Sequence, residues 1–138
     1  MKKVYVLDAC ALIAFLNDED GAQIVEALLA EASVGNIDLV MNRVNLLEIY
    51  YGVYRDDGIQ EANSVIERIL NLPLTIIDTL TDNVFYKAGK LKAENKISLA
   101  DAIAIGEANE RGAQLVTCDH HEFDALVEEE KMTVCWIR

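Results

Sequence analysis

What most constrains this chain is an alternation that runs along its whole length. Short, continuously apolar runs take turns with stretches of helical spacing. The runs are Val4–Leu7, a turn and strand within 36–41, Leu74–Ile77 behind the single proline Pro73, Gln114–Thr117, and Thr133–Ile137. Runs this short, without polar alternation, suit strands buried on both faces of a parallel sheet. Between them lie helical segments at 9–16, 20–32, 43–54, 59–70, 81–95, 98–110 and 121–129. Strands regularly separated by helices predict an α/β fold, with a mostly parallel five-stranded sheet and helices on both faces. The 138 residues are one domain's worth, 1–138, with no internal repeat, low-complexity tract or linker. That length buries a proper core without disulfides or metals.

The composition removes several classes of function. With 52% hydrophobic and 26% charged residues the chain is neither disordered nor fibrous. No apolar run approaches the roughly 18 residues of a membrane span, so no membrane partner is expected. The N-terminal apolar run breaks at Asp8, too early for a signal peptide. Cys10, Cys118 and Cys135 are an odd set without a paired framework, so the thiols are expected reduced and the protein cytoplasmic. Cys10 and Cys118 would approach each other if their strands are neighbours, which would allow redox gating, but buried, inert thiols are the expectation. The net charge of −12 argues against a simple electrostatic nucleic-acid binder.

Most of the 24 acids sit in polar company, as in Asp18-Glu19-Asp20 or Glu128-Glu129-Glu130, and read as solvated faces. Four do not. Asp8 ends the first strand; it is either an N-cap or a ligand at a strand's carboxyl edge. Glu48 interrupts Val44-Asn45-Leu46-Leu47-Glu48-Ile49, with Val44 and Gly52 at i−4 and i+4. It is an exposed helix edge, or a carboxylate that needs a cation or partner to tolerate apolar neighbours. Asp101, with Ser98, resembles a capping box, or simply favours a helix N-terminus. Asp119 leaves the fourth strand as Asp8 leaves the first, and Asp124 either adds an oxygen to the same pocket or faces solvent. Each acid has a structural explanation alone. Together they would repel by about 4 kcal/mol per pair at about 4 Å. A hard dication, Mg²⁺ or Mn²⁺, relieves that repulsion. His120 and His121 are adjacent and lack cysteines at zinc-ligand spacing.

Four segments carry a resemblance. They are Val6-Leu7-Asp8-Ala9-Cys10-Ala11-Leu12-Ile13, Leu46-Leu47-Glu48 followed by Gly52, Leu99-Ala100-Asp101-Ala102-Ile103-Ala104, and Leu115-Val116-Thr117-Cys118-Asp119 followed by Phe123. In this order and spacing they look like PIN domains, and within these like the VapC-type toxins of toxin–antitoxin pairs. The resemblance implies a PIN-like three-layer sandwich and a metal-dependent endoribonuclease that leaves a 5′-phosphate and a 3′-hydroxyl. It implies Asp8 and Asp101 as core ligands of Mg²⁺ or Mn²⁺. Glu48 would complete the first site, and Asp119 would shape a second or orient a water. Thr117 stands where the family often has a small hydroxyl residue. Asn42 and Asn45 depart from the commoner hydroxyl residues, and Cys118 from a basic one. Implied partners are an RNA substrate, a small antitoxin and a second copy of the chain as a homodimer. For an acidic protein to hold RNA, the basic patch Lys87, Lys90, Lys92 and Lys96, with Arg43, would contact phosphates; solvated lysines are the plain alternative. Leu46, Tyr50, Tyr51 and Tyr54 either form a partner surface or belong to the core.

Other readings compete. A catalytically silent PIN-like module would bind RNA or protein without the chemistry, and the intact acid set argues against it. An aspartyl-nucleophile phosphatase would suit Asp8, but Cys10 stands where its second Asp belongs. A structure-specific DNA nuclease would need an insertion to clamp the duplex, and no segment reads as one.

Overall fold

The computed structural model describes residues 2–128 and 132–138. β1 (Lys3–Leu7) leads into α1 (Ala9–Leu16) and α2 (Ala22–Ser33), and β2 (Ile37–Asn42) into α3 (Arg43–Asp57) and α4 (Ile59–Leu70). β3 (Thr75–Ile77) precedes α5 (Asp82–Glu94) and α6 (Leu99–Glu110); β4 (Gln114–Thr117), α7 (His120–Glu128) and β5 (Val134–Trp136) follow. Glu129, to which the sequence pattern extends α7, lies outside the described residues. The strands form one sheet in the order β3-β2-β1-β4-β5. Every pairing is parallel. No helix among the described residues is long and apolar enough to cross a membrane.

The two faces of the sheet explain the unbroken apolar runs. Val6, Val40 and Leu115 pack into one core with Leu91, Ile103, Ile105 and Phe123, from the α5–α7 side. Leu7, Leu39, Met41 and Val116 pack into another with Leu12, Val25, Ile49 and Ile69, from α1–α4. Successive side chains of one strand point to opposite faces, so each strand feeds both cores. The result is a three-layer α/β sandwich. α6 is buried at Ala100 and from Ala102 to Ala108, and a helix so largely apolar belongs inside. Its small side chains admit close packing: a Cβ on Gly106 would meet Val84 Cγ1 at 3.4 Å.

Side-chain caps set several helix starts. Ala11 N–H donates to Asp8 Oδ1 at 2.9 Å, Val44 N–H to Asn42 Oδ1 at 2.8 Å, and Asp101 N–H to Ser98 Oγ at 3.1 Å. Each such cap contributes about 1 kcal/mol. α2 starts two residues later than its periodicity suggests. Gly21, at φ 93°, occupies the entry, and a Cβ there would lie 2.5 Å from the Ile137 carbonyl oxygen. That close approach to the chain beyond β5 fixes where α2 begins.

The expectation of unpaired, reduced thiols is corrected for two of the three cysteines. Cys10 and Cys118 form a disulfide, with their Cα atoms 6.0 Å apart. β1 and β4 are direct neighbours, so residues just past their ends meet. Cys135 is free.

Candidate active site

The chain reverses its winding once. β2 and β3 extend the sheet on one side of β1, β4 and β5 on the other. In such sheets a crevice opens at the carboxyl ends of the two strands that flank the reversal. Here those strands are β1 and β4, and an acid follows each within two residues, Asp8 and Asp119.

Leu7 pairs with Val116, and Asp8 N–H donates to Val116 O at 3.2 Å. Asp8 and Thr117 are therefore the next residues of the two strands, on the face that carries α6. Asp8 is 2% exposed. Burial pushes its carboxyl up to about 7; hydrogen bonds from Thr117 and from Ala11 N–H oppose this, and the charges of Asp101 and Asp119 add to it. The Thr117 hydroxyl also accepts from Asp119 N–H at 3.1 Å, so one side chain ties the two strand exits together. Asp101 stands in the first turn of α6, where the helix N-terminus favours a negative charge. Glu48 is half-buried on α3; burial raises its carboxyl and Asp119 raises it further. Asp8, Glu48, Asp101 and Asp119 thus come from four elements and act on one another electrostatically.

The remaining sequence candidates fall elsewhere. Asp124 is exposed, its Oδ1 3.0 Å from His120 Nδ1, and His120 stacks on Trp136 with ring centroids 3.8 Å apart. Arg43 borders a depression with Leu47 and Tyr50; five residues of helix turn it well away from the face of Glu48. Lys87, Lys90, Lys92 and Lys96 are all exposed. Leu46 is buried, Tyr50 half-buried, and Tyr51 and Tyr54 exposed.

Two features go beyond the sequence reading, the second at Asn45, named there only as a departure from the commoner hydroxyl residue. Glu48 opens onto a cavity of about 500 Å³ between α1, α3 and α4, which Arg55 and Arg68 also line. Arg55 and Arg68 lie on consecutive helices and carry no local motif, so only the α3–α4 hairpin reveals them. Asn45 is fully buried. Its Nδ2 donates to Ala100 O at 3.4 Å, linking the helix of Glu48 to the residue before Asp101. Its Oδ1 has no protein partner among the described residues. An amide three residues before Glu48, on an apolar face, is the signal that points to it.

The donors at the crevice are carboxylate oxygens with one hydroxyl beside them. Among the described residues no three His, Cys, Asp or Glu side chains already stand at the spacing of ligands to one ion. The acids are near enough to shift one another's titration without standing as ligands to one ion. Their chemistry, hard oxygen donors that repel one another, fits a hard dication.

The sequence profile of the PIN domain matches residues 5–128. The chain belongs to the PIN domain family. Solved structures similar to this PIN domain agree on the fold. A DNA-bound VapBC from Salmonella typhimurium superimposes with a TM-score of 0.75 at 19% identity, covering 100% of both chains. VapBC2 from Rickettsia felis, bound to a promoter DNA fragment, gives 0.73 at 21% identity, covering 96% of this chain and 98% of that one. VapC20 of Mycobacterium tuberculosis, a toxin described as cleaving the sarcin–ricin loop, gives 0.65 at 16% identity, covering 88% and 94%. No curated protein matches the chain by sequence.

Proposed function

We propose that this PIN domain is an endoribonuclease, dependent on Mg²⁺ or Mn²⁺, and the toxin of a type II toxin–antitoxin pair. The observation that carries the reading is the electrostatic coupling of acids around the β1/β4 switch point: Asp101 and Asp119 raise Asp8, and Asp119 raises Glu48. Family membership and the toxin–antitoxin complexes among the similar folds support it.

Each residue has a part that its position supports. Asp8 and Asp101 hold the cation, with Glu48 and Asp119 completing its surroundings. A bound dication supplies a water of lowered pKa and offsets charge on the phosphate oxygens. Thr117 orients the Asp8 carboxylate and fixes the backbone of Asp119. Asn45 keeps Glu48 in register with the start of α6. Arg68 and the Asp56-paired Arg55 place two guanidinium groups among the acids Glu48, Asp56, Asp57 and Glu61 that line the cavity, and these are the groups there that could meet a backbone phosphate. The same cavity, with exposed Tyr51 and Tyr54 at and near its rim, is where a small antitoxin would cover the acids. Homodimerisation in the cytoplasm completes the reading.

The test is cleavage of structured RNA by the purified protein in EDTA, Mg²⁺ or Mn²⁺, alongside Asp8→Asn and Asp101→Asn. Metal-dependent cutting that both variants lose, while staying folded, is the expected result. No cutting across a broad RNA panel, with no heat of Mn²⁺ binding, would make the chain a catalytically silent binding module instead.

A further inference from the structure

The cysteine bond joins the segments just beyond the same two strand ends, on the α1–α4 side of the sheet. Cys118 packs with the α1–α4 core, whereas Thr117, one residue earlier, points to the face of Asp8 and α6. Cys10 is two residues beyond Asp8, and Cys118 immediately precedes Asp119. The bond therefore spans the two segments that carry Asp8 and Asp119. Those carboxylates repel when both are charged, and the ladder between the two strands ends here, at Asp8 N–H to Val116 O. A covalent tie at this point opposes the spreading that the repulsion drives. Both cysteines are half-buried, and Cys10 lines the open cavity beside Glu48, where a small thiol reagent can reach it.

We propose that Cys10 and Cys118 are a reversible thiol–disulfide site, exchanging with low-molecular-weight disulfides of the glutathione class, whose closed form tightens dication binding at the neighbouring acids. The second half rests on the metal-holding reading above. In the closing reaction the Cys10 thiolate attacks one sulfur of glutathione disulfide. That S–S bond breaks, and one glutathione leaves as thiolate, taking up the proton Cys10 lost. The Cys118 thiolate then attacks the Cys10 sulfur, forming the Cys10–Cys118 bond and expelling the second glutathione, which takes the second proton. Two protein thiols give up two electrons and two protons, and one glutathione disulfide becomes two glutathione thiols. With the bond closed, Asp8 and Asp119 are held near their binding positions, so less ordering accompanies ion capture. With it open, the Cys118–Asp119 segment loses its covalent tie to the Asp8–Cys10 segment and keeps only its non-covalent contacts, such as the hydrogen bond of Asp119 N–H to Thr117.

The experiment uses the full chain carrying Cys135→Ser, which leaves Cys10 and Cys118 as the only thiols. The protein is equilibrated in buffers of varied glutathione to glutathione disulfide ratio. Alkylation and intact mass then count free thiols. Mn²⁺ affinity is measured by calorimetry on the oxidised form, the reduced form, and a Cys10→Ser/Cys118→Ser variant shown to be folded. The expected result is a reversible two-thiol transition, with Mn²⁺ bound about tenfold more weakly when the bond is open. The double-serine variant should match the reduced protein; if it does not fold, the reduced protein alone decides. Equal Mn²⁺ affinity in both states overturns the proposal and leaves the metal site standing. A pair that stays closed, or stays open, at every glutathione ratio also overturns it. No Mn²⁺ binding in either state removes it together with the metal reading.

Discussion

Asp8 keeps its proton up to about pH 7 in the folded chain, against 3.8 for an ordinary aspartate. Between those values the folded form binds one more proton than the unfolded form, so stability falls as pH rises through the window. The window is worth about 4 kcal/mol. Asn keeps the acceptor that caps α1 at Ala11 N–H but has no charge to bury. Asp8→Asn should therefore melt on the order of 10 °C higher than the parent at pH 8, with the gap closing toward pH 4. Differential scanning calorimetry across that range checks it. Mn²⁺ should raise the parent's melting temperature and leave the variant's unchanged, because only an ionised site gains from the ion. The four acids are legible in the sequence because each interrupts or terminates an apolar run. Asn45 and Glu107 are less legible. Glu107 is 2% exposed inside α6, bonded to Asn42 Nδ2 at 3.0 Å and Arg111 Nε at 3.0 Å. Its partners lie 65 residues upstream and 4 downstream, and only the first requires the fold. Thr117 is singled out only through the family resemblance, since a hydroxyl at a strand end carries no signal of its own.

Among the elements, helix starts were legible wherever a side chain caps them. Ser98, Thr81 and Asp8 mark α6, α5 and α1 within a residue. α2 was less legible, because its start is set by Gly21 against Ile137, a contact between residues far apart in the chain. Gly21→Ala should lower stability by more than 2 kcal/mol, combining left-handed strain of about 1–2 kcal/mol with a backbone clash. Gly89→Ala, in mid-α5 with nothing within 4 Å of a new Cβ, should gain about 0.5–1 kcal/mol. Urea melts of the pair give the two signs. α5 also holds Lys87 and Lys90, three apart and exposed. If they contact RNA phosphates, neutralising both with Gln should flatten the slope of log affinity against log salt by about 1.4. An unchanged slope would leave them as solvated surface.

The whole molecule was legible in its layers and less so in its cross-link. Continuously apolar runs need two covered faces, and that alone dictates helices above and below the sheet. An odd number of cysteines spread over the chain could not announce a bond; it follows from β1 and β4 being neighbours. That bond joins residues 108 apart in sequence. In the chain-entropy picture, closing so long a loop stabilises by about 4–5 kcal/mol. Reduction should lower the guanidinium midpoint markedly, and the Cys10→Ser/Cys118→Ser variant should show the same midpoint with or without reductant. The strand order has another consequence. The carboxylates sit at residues 8, 48, 101 and 119, and β1, which bears the earliest, acquires its β4 neighbour almost last. A nascent chain shorter than Asp119 has no complete set of acids, whatever else has folded. If the protein cuts RNA by these acids, it spares its own messenger until the codon for Asp119 has been read, a delay written into the order of its strands.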